Sequence, residues 1–228
     1  MSTLPDSPLS RPTTAGALPA ARFDGYLEEL FAREDDLLKQ LRAEMERQKL
    51  PVIQVPATSG RALQVLAAAV GARRILEVGT LAGYSAIWMA RALPPGGALV
   101  TLEKDEVRAA LAMEFVRRAS LETVVDVRVG EASELLQDLD PEAPFDLVFV
   151  DADKEGNREY AEHAARLLRP GGLLIVDNAL WRGTVLEEEP GDERDRAVAE
   201  FNREIADDRR FLGTILTVGD GLLVAVRR

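Results

Sequence analysis

Apolar and polar positions follow two different rhythms along the chain. From residue 22 to residue 48, apolar side chains recur every three or four positions, which predicts two helices broken near residues 34–36. A third helical stretch, "GRALQVLAAAV", follows Thr58 and Ser59, either of which we expect to cap it, and ends at Gly71. Beyond that point, short apolar runs alternate with amphipathic stretches, which indicates five strand–helix units.

The last two apolar runs, "LGTILTV" and "GLLVAVRR", flank Gly219-Asp220-Gly221, and this arrangement predicts a β-hairpin. The earlier strands are nearly continuous in apolar residues, as expected when helices cover both faces of a parallel sheet. We therefore predict an α/β fold with a doubly wound, Rossmann-like, seven-stranded and mostly parallel sheet, a C-terminal antiparallel hairpin and helices on both faces. Residues 1–20, rich in Pro, Ser, Thr and Ala, are interpreted as a flexible N-terminal tail.

Composition and charge narrow the classes of function. The chain of 228 residues has 28 basic and 39 acidic side chains, and its net charge of −11 disfavours nucleic-acid and anionic-membrane partners. It has no cysteine, so disulfides, thiolate metal sites and a cysteine nucleophile are excluded. His163, the one histidine, lies three residues after Tyr160 in a helical pattern and is interpreted as structural or exposed. Without a membrane-spanning run or a secretory signal, the chain is expected to be cytoplasmic.

Polar side chains directly follow the fourth and fifth predicted strands. "FDLVFVDADKEGN" places Asp151, Asp153 and Lys154 after one apolar run. "GGLLIVDNALW" places Asp177 and Asn178 after the next, with the two leading aspartates 26 positions apart. Ligands of such sheets bind outside the carboxyl ends of the strands, so both groups should lie at one site. We interpret Asp153 as a helix N-cap or a partner of Lys154 rather than as a ligand.

The turn after the first predicted strand, "ILEVGTLAGYS", carries Gly79 and Gly83, which let a ligand approach the backbone closely. A nicotinamide-binding turn has the pattern G-x-G-x-x-G, whereas Leu81 occupies the middle glycine position here, so the loop suits a nucleoside without phosphates better than NAD. Glu103, at the end of the second strand, is placed to accept hydrogen bonds from both ribose hydroxyls. Ala132, after the third strand, is placed to line an adenine site with its N–H.

Together, "LEVGTLAGYS", "VDADK", "LLRPGGLLIVDNALWRG" and "TVGDGLLVA" resemble the cation-dependent class I O-methyltransferases that use S-adenosylmethionine, a family that includes caffeoyl-CoA and catechol O-methyltransferases. The resemblance implies that residues 21–228 form a single S-adenosylmethionine-dependent methyltransferase domain. It implies that Lys154 and Asp151 are catalytic. It also implies that a divalent cation (Mg²⁺, Ca²⁺ or Mn²⁺) is held by Asp151, Asp177 and Asn178.

The same resemblance assigns the remaining contacts. The cofactor-binding residues that it implies are Val55, Glu77, Gly79, Thr80, Gly83, Ser85, Glu103, Ala132 and Asp151. Trp181 matches a position near the acceptor pocket. Three residues after the lysine many members have tyrosine, whereas this chain has Asn157, and because that position is expected close to the substrate mouth the exchange bears on acceptor identity. The acidic run "LEEEPGDERDR" is interpreted as a solvated loop that could border the site.

Methyl transfer from a sulfonium to a phenolic oxygen requires an aligned donor and an ionised acceptor. A phenol has a pKa of about 10, so about one molecule in a thousand is ionised at pH 7. Two carboxylates and an amide suit a hard divalent cation, which stabilises the phenolate and leaves coordination positions for two vicinal hydroxyls. We therefore expect a small catechol-like phenolic acceptor. Lys154, whose charge is disfavoured beside the cation, is expected to accept the phenolic proton.

Other functions stay open at this point. A tRNA hydroxyuridine O-methyltransferase of the same family would need a local basic patch, for which the candidates are Arg73, Arg74, Arg117 and Arg118. A nicotinamide-dependent oxidoreductase is disfavoured by Leu81, and an inactive cofactor binder is disfavoured by the complete set of metal ligands and lysine. The family resemblance and exposed apolar positions of the first helix predict a homodimer, and those positions are Phe23, Leu27 and Phe31.

Overall fold

The predicted strands pair into one sheet in the computed structural model, which describes residues 20–139, 143–187 and 191–228. The predicted flexible tail, apart from its last residue, lies outside the described residues. The helices are α1 (Ala20–Leu30), α2 (Asp36–Arg47), α3 (Ala57–Ala69), α4 (Tyr84–Ala90), α5 (Glu106–Arg118), α6 (Ala132–Leu135), α7 (Asn157–Leu167) and α8 (Glu193–Asp207). The strands are β1 (Arg74–Val78), β2 (Ala98–Glu103), β3 (Val125–Val129), β4 (Phe145–Val150), β5 (Leu168–Val176), β6 (Phe211–Leu216) and β7 (Leu222–Arg227).

The strand order in the sheet is β3-β2-β1-β4-β5-β7-β6. Pairing is parallel from β3 through β5, whereas β7 runs antiparallel to both of its neighbours. The predicted seven-stranded, mostly parallel sheet with a C-terminal antiparallel hairpin is confirmed, and β7 is inserted between β5 and β6. The order of the strands reverses between β1 and β4, so their carboxyl ends open onto the crevice where ligands bind in sheets of this class.

Each face of the sheet has its own hydrophobic core, because successive residues of a strand point to opposite sides. Ile75 of β1 belongs to the core on one face and its neighbour Leu76 belongs to the core on the other. The first core includes Leu63 of α3, Trp88 of α4 and Phe115 of α5, and the second includes Ala164 of α7 and Phe201 of α8. Helices on both faces, as predicted, therefore shield the strands from water.

The sequence predicted the start of α2 correctly but not the cap of α3. The predicted break near residues 34–36 is confirmed, since Asp35 caps α2 by accepting a hydrogen bond from the Leu38 N–H at 3.0 Å. The predicted cap of α3 is wrong. Pro56 precedes the helix without a side-chain cap, and Thr58 and Ser59 are buried inside its first turn.

The predicted dimerisation positions lie on an exposed apolar face of α1. Phe23 is 51% exposed, Leu27 is 37% exposed, and Phe31, directly after the helix, is 60% exposed. The homodimer itself stays a prediction. No helix within the described parts of the chain combines the length and the apolar character needed to traverse a lipid bilayer.

Candidate active site

A cavity of about 1040 Å³ opens at the carboxyl ends of β1, β2, β4 and β5. It lies at the point where the order of the strands reverses, as expected for a ligand site in this class of sheet. The predicted site residues that line it are Val55, Gly79, Thr80, Ser85, Glu103, Ala132, Asp151, Lys154, Asn178 and Trp181. The predicted site residues that do not line it are Glu77, Gly83, Asn157 and Asp177.

The glycine loop after β1 brings the ends of β1 and β4 into contact. Gly79 has φ 97°, and a Cβ atom there would lie 2.1 Å from the carbonyl oxygen of Asp151, so no other residue fits. Gly83 begins α4 with φ 85°, and a Cβ atom there would lie 3.3 Å from the Cβ of Ala112 in α5. Gly83 therefore serves helix packing rather than the cavity surface.

Glu103 is held rigidly at the cavity edge. Its Oε2 accepts a hydrogen bond from the N–H of Leu81 at 2.8 Å, and its Oε1 accepts one from the N–H of Asp105 at 3.0 Å. Each carboxylate oxygen can accept a second bond, so two further donors such as ribose hydroxyls can be bound. The leucine that departs from the nicotinamide pattern thus helps to orient the carboxylate predicted to bind the ribose.

Glu77 lies beneath the glycine loop instead of at the cavity surface. It is fully buried, and it accepts hydrogen bonds from Ser85 Oγ at 2.5 Å and from Thr101 Oγ1 at 2.6 Å. Burial raises the pKa of Glu77 to about 8, although the two hydroxyl donors oppose the shift. Ser85 does line the cavity, so Glu77 supports Ser85 from beneath the cavity surface, and the cofactor contact predicted for Glu77 stays a prediction.

Asp151 and Asp177 lie side by side because of the strand register. Val150 of β4 pairs with Val176 of β5, so the residue that follows each valine emerges at the same edge. Burial, together with the negative charge of Asp151, raises the pKa of Asp177 to about 7. Burial also raises the pKa of Asp151, against the opposing effect of Lys154. Burial disfavours the charged form of both carboxylates, so a nearby cation would stabilise the pair.

Three observations test whether a hard divalent cation fits these residues. Asp177 Oδ1 is buried and has no hydrogen-bond partner among the described residues. Buried polar atoms normally have a partner, and a bound cation would supply one here. Asn178 lines the cavity beside it, with its backbone turned into the left-handed region at φ 62°. The described parts of the chain contain no group of three His, Cys, Asp or Glu side chains that could hold a metal ion, so a site here would need a further ligand of another kind, such as the amide predicted from Asn178. Carboxylate and amide oxygens fit Mg²⁺, Ca²⁺ or Mn²⁺.

Lys154 is a buried residue of the site and not a surface lysine. Its side chain is 7% exposed, and its Nζ lies 3.3 Å from Oδ1 of Asp151. Asp153 does not pair with it, because Asp153 accepts hydrogen bonds from the Gly156 N–H at 3.0 Å and from the Tyr160 hydroxyl at 2.8 Å. The interpretation of Asp153 as an N-cap is correct, and Nζ of Lys154 faces the Asp151 carboxylate and the carbonyl oxygen of Asp177.

The loop after β5 carries several residues in a backbone conformation that side chains disfavour. Asn178, Trp181 and Arg182 all have positive φ, at 62°, 44° and 54°. The turn at residues 219–221 holds this loop, since Asp220 accepts the Leu180 N–H through its carbonyl and the Arg182 N–H through its carboxylate, at 2.9 and 2.7 Å. Sequence reasoning identified Gly219-Asp220-Gly221 only as a hairpin turn, whereas Asp220 also lines the cavity.

Asn157 is not at the mouth of the cavity, where it was expected. It is the first residue of α7, follows the 3-10 turn Lys154–Gly156 and is only 3% exposed. That turn directs the chain inward before α7 begins, and Tyr160, nearly one helical turn further on, lines the cavity. His163 lies on the outer part of the same helix, 3.3 Å from a nitrogen of Arg166, and does not line the cavity, in agreement with a structural or surface role.

Comparisons with known proteins agree on one family. The family model described as O-methyltransferase matches residues 28–228. A catechol O-methyltransferase from Niastella koreensis is 41% identical over 210 residues, which cover 89% of this chain and 95% of the relative. A caffeoyl-CoA O-methyltransferase from Populus kitakamiensis is 32% identical, with 89% of this chain and 91% of the relative covered.

A solved structure supports the same assignment and bears on the cofactor. The O-methyltransferase from Bacillus cereus, in complex with S-adenosylhomocysteine (SAH), superimposes with a TM-score of 0.85 at 39% identity, and the match covers 91% of this chain and 97% of that one. The cavity described above thus belongs to a fold that binds this nucleoside product in a similar protein. The chain belongs to the O-methyltransferase family and is an S-adenosylmethionine-dependent O-methyltransferase.

Proposed function

We propose that this enzyme transfers the methyl group of S-adenosylmethionine to one hydroxyl of a small vicinal dihydroxy aromatic acceptor, in a reaction that depends on a divalent cation. The observation that carries this proposal is the pair of neighbouring carboxylates, the half-buried Asp151 and the buried Asp177, beside the buried Lys154 at the edge of the cavity. The catechol and caffeoyl-CoA O-methyltransferases among its relatives are named for acceptors of this kind.

Different residues of the site would bind the methyl donor, the cation and the methyl acceptor. Glu103 and the glycine loop would hold the nucleoside end of the donor, since both Oε atoms of Glu103 keep acceptor capacity toward the cavity. Asp151, Asp177 and Asn178 would hold the cation, which when bound supplies positive charge that stabilises an ionised phenol. Trp181 lies beside Asn178 in the cavity lining and would contact the aromatic ring of the acceptor.

Lys154 would act as the general base. Its Nζ, at 3.3 Å from Asp151, is buried at the same edge of the cavity, and in the neutral form it can take the hydroxyl proton. With the donor bound, the acceptor oxygen would form a bond to its methyl carbon as the bond from that carbon to sulfur breaks, and the sulfonium would become the neutral thioether of SAH. The proton stays on Nζ until solvent removes it.

The positions of the four arginines considered for a basic patch disfavour the alternative function, which is methylation of tRNA. Arg73 and Arg74 lie at the start of β1, and Arg117 and Arg118 lie at the end of α5, so all four are at the edge of the sheet opposite the cavity. Two of them stack on aromatic rings of the core, since the guanidinium carbons of Arg74 and Arg118 lie 5.0 and 4.3 Å from the ring centroids of Phe145 and Phe115. We therefore keep the small phenolic acceptor as the proposed substrate.

The test is methyl transfer to 3,4-dihydroxybenzoate with Mg²⁺ or with excess EDTA. We expect turnover to disappear in EDTA and in Asp177→Asn, because the neutral amide weakens the cation site. SAH binding by Asp177→Asn, measured by calorimetry, should stay within about threefold of the parent, since Asp177 does not line the cavity. Asp126→Asn, the same change at an exposed position of β3, is the matched control and should retain activity. Full turnover in EDTA would refute the cation requirement.

A further inference from the structure

The acidic run after β5 contributes a hydrogen bond to the cavity wall. The indole Nε1 of Trp181 donates to Oδ1 of Asp195 at 2.7 Å. Both side chains are half-buried, and Asp195 lies in the first turn of α8. Trp181 lines the cavity next to Asn178 and its indole has a single N–H donor, so this bond fixes one edge of the ring.

The two oxygens of Asp195 have separate partners. Oδ2 accepts from the N–H groups of Gly191 at 3.0 Å and Asp192 at 3.3 Å, while Oδ1 accepts from Trp181. Asp192 completes a capping box, because its Oδ1 accepts the Asp195 N–H at 2.9 Å. The start of α8 therefore fixes Asp195 independently of the tryptophan, so that the carboxylate is a rigid acceptor for the indole.

The indole needs such an anchor because its backbone alone does not orient it. Trp181 has φ 44°, and the turn at residues 219–221 holds the neighbouring amides of Leu180 and Arg182. These bonds fix the position of the Cα of Trp181 and leave rotation about χ1 and χ2 free. Among the described residues, the Asp195 carboxylate supplies the one side-chain hydrogen bond made by this indole.

We propose that Asp195 is a positioning residue that determines which hydroxyl of the acceptor is methylated, by holding the Trp181 indole as a fixed wall. The inference rests on the proposed function, since it concerns the orientation of a vicinal dihydroxy ring. Such a ring can enter in two orientations that exchange the two hydroxyls, and the contacts at the wall differ between them. A fixed indole favours one orientation, whereas a mobile indole accepts both.

The experiment measures the ratio of 3-methoxy to 4-methoxy product from 3,4-dihydroxybenzoate, separated by chromatography, for the parent enzyme and five variants. Asp195→Ala removes the acceptor of the indole hydrogen bond and should move the ratio toward unity by at least about threefold, with a raised KM for the acceptor. Asp195→Asn keeps one oxygen acceptor but gives up a second, so the product ratio should lie between those of the parent and of Asp195→Ala. Trp181→Phe keeps a ring without the N–H and should match Asp195→Ala, and adding Asp195→Ala to it should change the ratio no further.

Asp192→Ala is the matched control for helix stability. It breaks the capping box without touching the indole, so it should lower the melting temperature and leave the product ratio unchanged. Tryptophan emission provides a second readout, since the chain has two tryptophans and Trp88 is 2% exposed. A red shift in Asp195→Ala that is absent in Asp192→Ala would support release of Trp181.

Two results would overturn the inference while the proposed function stands. The first is an unchanged product ratio in Asp195→Ala, and the second is an equal change in Asp192→Ala, which would attribute the effect to the start of α8 as a whole. If the parent enzyme methylates no catechol at all, the proposed function falls and this inference falls with it.

Discussion

Replacing the buried Glu77 by glutamine should change how the stability of the protein depends on pH. The carboxyl group is fully buried and accepts hydrogen bonds from Ser85 and Thr101. Glutamine has nearly the same shape as the protonated acid and, like it, carries a hydrogen-bond donor. Its amide N–H can donate to Thr101 Oγ1. The Thr101 hydroxyl can then donate to Thr80 Oγ1, which lies 2.5 Å away. Glu77→Gln therefore removes the ionisation and keeps the hydrogen-bonded network.

The magnitude follows from the pKa difference between the folded and unfolded states. Burial raises the pKa of Glu77 from 4.5 to about 8, so the folded protein keeps a proton that the unfolded chain has released in this range. The unfolding free energy therefore falls as pH rises from about 4.5 through about 8. At about 1.4 kcal/mol for each pKa unit, the parent should lose about 3 kcal/mol relative to Glu77→Gln between pH 5 and pH 8.

Urea unfolding followed by circular dichroism at several pH values measures this difference, with metal-free buffer for both proteins. Groups other than Glu77 titrate in both proteins, so their contributions cancel when the variant is subtracted from the parent. Parallel curves of unfolding free energy against pH would refute the reasoning. They would mean that Glu77 is ionised at neutral pH and that its two hydroxyl donors outweigh the cost of burial.

Two further changes have clear expected outcomes. Gly79→Ala would place a Cβ atom 2.1 Å from the Asp151 carbonyl oxygen, so we expect a loss of at least about 2 kcal/mol in thermal unfolding. Gly96→Ala has a similar positive φ but no contact closer than 3.7 Å, and an equal loss there would show that the backbone angle, not the clash, is responsible. Lys154→Met should reduce kcat by about 10²-fold or more with SAH affinity retained by calorimetry, and an unchanged kcat would eliminate the lysine as the base.

Much of the fold could be predicted because its signals are local. The parallel strands β4 and β5 contain apolar runs at residues 147–150 and 173–176, the strand–helix alternation is visible in the sequence, and the hairpin turn contains two glycines with positive φ. The shared edge of Asp151 and Asp177 also follows from strand order, since both residues come directly after paired strands. The local sequence pattern does not predict that β7 lies inside the sheet. That position depends on the pairing of β7 with β5, which is distant in sequence.

The parts of the site that could not be predicted depend on partners far along the chain. Asp195 looks like one acidic residue in a solvated run, and only its distance to Trp181 separates it from its neighbours. Glu77 looks like a ligand-facing strand end, but the hydroxyls of Ser85 and Thr101 hold it below the surface. The inward turn that buries Asn157 is set by 3-10 geometry over three residues, which apolar periodicity does not register.

Because β7 lies between β5 and β6, the active site can be completed only late in synthesis of the chain. β7 and the turn before it leave the ribosome after every other described strand, yet the turn carries the Asp220 contacts that hold the loop bearing Asn178. A nascent chain can assemble β1 to β5 early, but it cannot secure that loop until the turn at residues 219–221 has emerged. Unfinished chains should therefore be folded in part and catalytically silent.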